Sequence, residues 1–78
     1  MSRKLKLIWD FKGPDANKIA EHHVIHLNQF IEREQYILKE TGFETIHEAH
    51  SIAFMIVTQE TMIEIRDLLK PHRGEWYD

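Results

Sequence analysis

The chain has 78 residues and no cysteine. This absence excludes disulfide bonds, thiolate catalysis, and zinc or iron–sulfur sites with cysteine ligands. Long apolar runs are also missing. The longest uninterrupted one extends from Ile52 to Val57, whereas a membrane-spanning helix needs about 20 apolar residues. Residues Met1 to Phe11 alternate charged and apolar side chains and do not form the apolar segment of a secretory signal. We therefore expect a soluble, cytoplasmic protein with no membrane partner.

Positive charge is not in excess, because 10 Lys and Arg against 13 Asp and Glu give a formal net charge of −3. Proteins that bind nucleic acid non-specifically need a basic field to neutralise phosphates, so we expect no nucleic-acid partner. No repeat, linker or low-complexity stretch divides the chain, and its length allows one core, which predicts a single domain over residues 1–78. A core this small gives modest stability, for which oligomerisation is a common remedy. On that ground we expect a homodimer.

Histidine is the residue that this sequence has in abundance. Six are present, at His22, His23, His26, His47, His50 and His72. Imidazole titrates near neutral pH, transfers protons and binds metal ions. Protonation of all six would change the net charge from −3 to +3. The histidines therefore indicate where a site lies, but they identify neither a reaction nor a ligand.

The first half of the chain predicts a strand followed by a helix. Apolar and polar residues alternate from Leu5 to Phe11, which is the period of a strand with one buried face. Gly13 and Pro14 interrupt that strand. A helix is then predicted from Asp15, which can cap it, to about Lys39, with apolar residues recurring at helical spacing.

The three histidines of this helix are not equivalent. At 100° per residue, His23 falls inside the apolar stripe, His26 lies at its edge and His22 lies on the solvent side. The plainest interpretation is that His23 is a core residue with one hydrogen bond and that the other histidines are solvated.

The segment from Phe43 to Val57 predicts two strands joined by a tight turn. A two-residue loop at Glu48 and Ala49 would place the large apolar groups on one face. The pairs would then be His47 with His50, Thr45 with Ile52, and Phe43 with Phe54. Because Glu-Ala lacks the residues that such loops favour, a longer loop through His50 and Ser51 is the alternative.

The last part of the chain predicts a second helix from Thr61 to Lys70. Thr61 and Glu64 have the spacing of a capping box, and Pro71 ends the helix. The segment from Gly74 to Asp78 can add a short edge strand.

The order β-α-β-β-α, with a short C-terminal β, is that of a ferredoxin-like split βαβ fold. We therefore predict an α+β protein with an antiparallel sheet and two helices on one face. This analogy concerns the fold alone. Ile8, Met55 and Val57 would lie on the face opposite the helices, as an apolar patch through which two copies form the homodimer.

This topology brings all six histidines to one end of the sheet or near it. The end of the first strand, the start of the first helix, the hairpin tip and the end of the second helix share that end. We predict a small binding or regulatory module whose histidine-rich, polar end binds a metal ion or a small anion. Its predicted ligand-binding residues are His47, His50, His72 and Arg73.

A metal ion is the other ligand that this pattern favours. His22 and His26 are spaced i and i+4 on one helix surface, and His47 and His50 could complete a site for a divalent metal such as zinc. The His-x-x-x-His spacing is a weak motif, and no His-Glu-x-x-His sequence is present.

The alternative function is a small dimeric enzyme of the α/β-barrel type. In that hypothesis His50 or His47 acts as a general acid or base, and Asp10 or Glu48 orients the ring. Arg73 would stabilise a developing anion. A binding module and an enzyme differ in that a catalytic base is individually indispensable for turnover.

Overall fold

The computed structural model describes residues 3–38 and 40–77, which form four strands and two helices. These are β1 (Lys4–Lys12), α1 (Ala16–Glu34), β2 (Thr41–His47), β3 (His50–Thr58), α2 (Gln59–Leu69) and β4 (Arg73–Trp76). The strands form one antiparallel sheet in the order β2-β3-β1-β4. The predicted α+β, ferredoxin-like arrangement is confirmed, including the short C-terminal strand. In the described part of the chain, neither helix is long and apolar enough to cross a membrane.

The core lies between the helices and one face of the two central strands. Leu7 and Met55 are partners in the β1–β3 register, so the alternate residues Leu7 and Trp9 of β1 share a face with Met55 and Val57 of β3. This face packs against Leu27, Phe30 and Ile31 of α1 and Ile65 of α2. The strand alternation in the sequence therefore sets which side chains meet the helices.

The opposite face of the sheet, which we call the open face, carries Lys6, Ile8, Asp10, His50, Ile52 and Phe54. The prediction that Met55 and Val57 lie on this face is wrong, because the register turns both into the core. Ile8 does lie here, but it is only 1% exposed. The apolar patch predicted from the sequence is thus absent from the described surface, and the homodimer stays a prediction.

Phe54 and Lys6 help to shield Ile8 from solvent on the open face. Phe54 is the cross-strand partner of Ile8, and the ammonium of Lys6 lies 4.5 Å from the centre of the Phe54 ring. Lys6 also contacts Glu44 of β2 at 3.4 Å. The Phe54 ring rests on Gly42, where a Cβ atom would come within 2.7 Å of the ring. Glycine is therefore required at position 42 for this close approach.

The hairpin between β2 and β3 has the predicted two-residue loop, since His47 pairs with His50. The pairs further along are wrong, however. Thr45 lies opposite Ser51, and Phe43 lies opposite Ala53, because the register shifts between Thr45 and His47. Ile46 is the extra residue of a β-bulge, which reverses the face of every residue before it. As a result the two phenylalanines lie on opposite faces.

The helix ends differ from the predicted ones in ways that local bonding explains. Asp15 occupies the N-cap position of α1 without a side-chain bond, and the helix ends at Glu34, where Gln35 adopts the left-handed conformation. Lys39, the predicted end, lies outside the described residues. The left-handed residue turns the chain away and ends the helix one turn earlier than its composition predicts.

The second helix begins at Gln59, two residues before the predicted start. Thr58 is at the N-cap position, and the Thr61 hydroxyl donates to its carbonyl at 3.3 Å. The predicted capping box of Thr61 and Glu64 is therefore wrong, because Thr61 already lies in the first turn. The short strand β4 begins at Arg73, one residue before the predicted segment, whose last residue Asp78 lies outside the described residues.

Candidate functional site

Three segments of the chain meet at one end of the sheet, which we call the pole. They are the end of β1, the tip of the β2–β3 hairpin and the connection between α2 and β4. The Gly13 amide donates to the Ala49 carbonyl at 2.9 Å, and the His72 amide donates to the Ile8 carbonyl at 2.9 Å. The backbone thus holds these segments together, as the predicted topology requires.

Asp10 lies at the centre of the pole, on the open face. Arg73 donates to both of its carboxylate oxygens, from Nε at 3.0 Å and from Nη2 at 3.1 Å. His50 Nε2 lies 2.8 Å from Oδ1 of the same carboxylate. The hydrogen bonds from Arg73, and to a smaller extent the one with His50, lower the pKa of Asp10 to about 2, although partial burial opposes this effect. Asp10 is therefore a carboxylate at any physiological pH.

The ionised carboxylate fixes the proton on His50. Because a carboxylate only accepts hydrogen bonds, the Nε2 atom of His50 must carry a proton. The Nδ1 atom is left to act as a base or, once protonated, as a second donor. The His50 side chain is 17% exposed, and the His47 ring meets it edge-on, with 5.5 Å between the ring centres.

His72 is held in the same tautomer by a backbone hydrogen bond. The Asp10 amide donates to His72 Nδ1 at 2.8 Å, so this nitrogen holds no proton and the neutral ring carries its proton on Nε2. The Ala49 amide donates to His47 Nδ1 at 3.3 Å in the same manner. Both histidines are exposed. Their Nε2–H groups are thus donors that a ligand at the pole can reach.

The four residues predicted to bind a ligand, His47, His50, His72 and Arg73, therefore form one connected group around Asp10. The sequence predicts a specific role for Asp10 only in the enzyme alternative, where this residue orients a histidine. Its signal in the sequence is weak, because a single acidic residue near the end of a strand is common on solvated surfaces. Only the register of β1 with β3 and β4 shows that it holds both His50 and Arg73.

The residues predicted to bind a metal ion are not all brought together. His22 and His26 are exposed on α1, and His47 and His50 adjoin each other at the pole. Within residues 3–38 and 40–77, no group of three or more His, Asp and Glu side chains could hold a metal ion. The four-histidine metal site stays a prediction, and the described geometry contains no preformed version of it.

His23 lies on the helix side of the sheet, as its position in the apolar stripe predicts. Its ring packs against Trp9 and Phe11, with ring centres 4.8 and 5.4 Å apart. The Nε2 atom is buried and has no hydrogen-bond partner among the described residues. Burial lowers the pKa of His23, and the neighbouring His26 and His72 lower it further. This imidazole is therefore harder to protonate than a free one.

Comparison with known proteins yields no relative, since no family model, no curated protein and no solved structure matches this chain. An inference about its function therefore depends on the geometry of the pole.

Proposed function

We propose that the chain is a small binding module and that the pole holds a small anion, such as a carboxylate or a phosphate, with Arg73 as the main contact. The observation that carries this proposal is the two-point hydrogen bond between Asp10 and Arg73. It fixes the guanidinium plane while the Arg73 side chain stays 49% exposed. A guanidinium has five N–H donors in a fixed fork, and Asp10 uses only part of them. The remaining N–H groups of Arg73 are therefore already held in place to bind an anion.

The histidines around Arg73 support the same ligand. His47 and His72 offer Nε2–H donors, because their Nδ1 atoms accept backbone N–H groups. An anion accepts hydrogen bonds from neutral imidazole rings as well as from a guanidinium, so these donors add to those of Arg73.

A metal ion is less well supported at the pole. The Asp10 oxygens already accept three N–H bonds, and the Arg73 cation in contact with them repels a second cation. A metal ion would have to displace Arg73 before it could use this carboxylate.

An amide NMR titration with inorganic phosphate and with acetate, at constant ionic strength, tests the proposal. We expect saturable shifts at the amides of Asp10, His47, His50 and His72. Arg73→Gln should weaken binding by about tenfold or more, because it removes the charge-assisted donors. The matched control is Arg33→Gln, which removes an exposed arginine near the far end of α1 and should change the affinity less than about twofold.

Two outcomes would contradict the anion site. Shifts that spread over the surface without saturation, or equal weakening by the two arginine variants, would indicate non-specific attraction. If zinc instead shifts the amides of His22, His26, His47 and His50 together and saturates, the ligand is a metal ion and the metal prediction replaces the anion.

A second function, acid or base catalysis, is favoured by one observation, the 2.8 Å contact between His50 Nε2 and Asp10. A carboxylate that orients an imidazole in this way leaves Nδ1 as a general base. Hydrolysis of p-nitrophenyl acetate tests this candidate, with free imidazole as the reference. His50→Gln and Asp10→Asn should lower the rate, and His22→Gln should not. A rate per histidine equal to that of free imidazole would exclude catalysis of this kind.

The cytoplasmic location and the homodimer belong to this proposal as expectations from the sequence. Sedimentation at several protein concentrations tests the oligomeric state. A chain that sediments as a monomer at all of them would remove the homodimer from the proposal without affecting the anion site.

A further inference from the structure

A cavity of about 440 Å³ opens on the helix side of the sheet, at the end of β3 opposite His50. Its walls are residues 35–38 after α1, residues 55–58 of β3, and Thr61 and Ile65 of α2. The cavity lies where the two helices do not pack closely against each other. In α1 and α2, which the structure describes in full, no pair of Cα atoms from the two helices comes within 8 Å. Protein interiors are normally packed to the density of organic crystals, so a space of this size requires an explanation.

The lining of the cavity is mostly apolar. Met55, Val57 and Ile65 belong to the core cluster and form part of its inner wall. Ile37 lies at the mouth and is 96% exposed. The Thr58 and Thr61 hydroxyls lie 3.0 Å apart on the wall. Apolar walls with a few hydroxyl groups are typical of small-molecule pockets, and a bound molecule would remove Ile37 from water.

The charges around the cavity restrict the ligand. None of its described lining residues is Lys, Arg or His, so an anionic group would find no counter-charge on these walls. Burial raises the pKa of the Tyr36 hydroxyl, and the negative charges of the nearby Glu64 and Glu34 raise it further. An anion would therefore meet negative charge at this wall, and an uncharged molecule would not.

The volume restricts the size of the ligand. An apolar cavity of about 150 Å³ in a protein core binds benzene. The present cavity is about three times as large. We propose that it binds an uncharged aromatic molecule of two or three rings. This site is separate from the pole, and its ligand has the opposite character.

A pair of matched fluorescent probes tests the charge preference. N-phenyl-1-naphthylamine is uncharged, and 1-anilinonaphthalene-8-sulfonate has the same rings with a sulfonate added. We expect the uncharged probe to bind saturably with one molecule per chain and about tenfold or more tighter than the sulfonate. Equal affinities, or fluorescence that rises without saturation, would overturn the proposal.

Three variants locate the binding of the uncharged probe. Thr61→Leu fills part of the cavity, and Ile37→Glu puts a charge at its mouth. Each should weaken binding by about fivefold or more. The matched control is Ile63→Glu, which adds the same charge on α2 at an exposed isoleucine outside the lining, and it should leave the affinity within about twofold. An amide spectrum shows that each variant is folded, and Ile37→Glu, at an exposed position, still tests the site if Thr61→Leu does not fold.

Different results would contradict the proposed site for different reasons. Unchanged affinity in Ile37→Glu, or an equal loss in Ile63→Glu, would show that the probe binds elsewhere on the surface. If the chain is a dimer and the affinity for the probe falls as the protein concentration rises, a second copy covers the cavity and the small-molecule site is wrong.

Discussion

Replacement of His23 by leucine is expected to stabilise the protein. The Nε2 atom of His23 is buried and has no hydrogen-bond partner among the described residues, and a buried unsatisfied polar group costs about 1–3 kcal/mol. His23→Leu removes this cost but also loses the ring contacts with Trp9 and Phe11, which are worth about 0.5–1.5 kcal/mol each, so these two effects nearly cancel. The gain comes from the larger apolar surface that leucine buries beside the same rings, which is worth about 1 kcal/mol. We expect a net gain of about 1 kcal/mol near neutral pH, which corresponds to a rise in Tm of about 4–8 °C for a domain of this size.

The stability difference between His23→Leu and the wild type should also depend on pH. The pKa of His23 in the folded state lies below its ordinary value of 6.5. As the pH falls below 6.5, the unfolded chain binds a proton that the folded chain does not, so stability decreases until the folded-state pKa is reached. The loss from this group is at most about 1.4 kcal/mol per pH unit. Because His23→Leu removes the group, its advantage over the wild type should grow as the pH falls from about 7.5 to about 5.5.

Urea unfolding followed by circular dichroism at these two pH values measures both parts. The matched control is His22→Leu, which makes the same substitution at the neighbouring, exposed histidine of the same helix and shows the general effect of replacing a histidine. The expected result is refuted if His23→Leu is less stable than the wild type at both pH values and if its free energy of unfolding changes with pH as much as that of the wild type. That result would mean that the ring contacts outweigh the unpaired nitrogen and that His23 does not contribute to the acid sensitivity.

Three further predictions concern stability and are measured by urea unfolding. Gly42→Ala should cost about 1–3 kcal/mol because its methyl group meets the Phe54 ring, and the loss should shrink in a Phe54→Leu background; equal losses in both backgrounds would exclude this contact as the cause. Asp10 has a folded-state pKa of about 2, so it stabilises the fold above its ordinary value of 3.8 and this stability is lost as the pH falls from there towards 2. Allowing for solvent screening, Asp10→Asn should remove about 1 kcal/mol of the stability that the wild type loses as the pH falls from 3.8 towards 2. An Asp10→Asn variant that loses as much stability as the wild type over this range would contradict this. Trp9→Phe should cost about 1 kcal/mol, because the Trp9 Nε1 atom donates to the Leu69 carbonyl at 3.0 Å; unchanged stability would show that this bond contributes nothing.

The elements could be predicted because their signals are local. The alternation of β1 fixes which residues face the core, and the spacing in α1 correctly turns His23 towards the apolar side. Chain order and the handedness of connections then leave few topologies for a chain of this length. The meeting of the hairpin tip with the end of β1 follows from that topology and needs no side-chain detail.

The contacts within the site could not be predicted, because they depend on register and on side-chain direction. Nothing local in the sequence marks Ile46 as a bulge. The predicted pairing of Phe43 with Phe54 on one face of the sheet is therefore wrong. The role of Asp10 depends on its place opposite Ile52 in β3, beside His50, and on the return of Arg73 along β1. The cavity lies where two helices do not pack closely, and no residue pattern in either helix specifies the distance between them.

The bulge at Ile46 lets the hairpin contact both layers of the protein. Thr45 lies on the helix side and donates to Asn17 of α1 at 2.7 Å, whereas His47, two residues later, lies beside His50 at the pole. In a regular strand these two side chains would share a face. Thr45 and His47 pair with Ser51 and His50, which are adjacent in β3 and face opposite sides of the sheet. The two contacts of the hairpin therefore depend on these pairings and not on the side chain at position 46. Substitution of Ile46, or its deletion to give a regular strand, should leave both the Thr45–Asn17 contact and the His47–His50 contact in place.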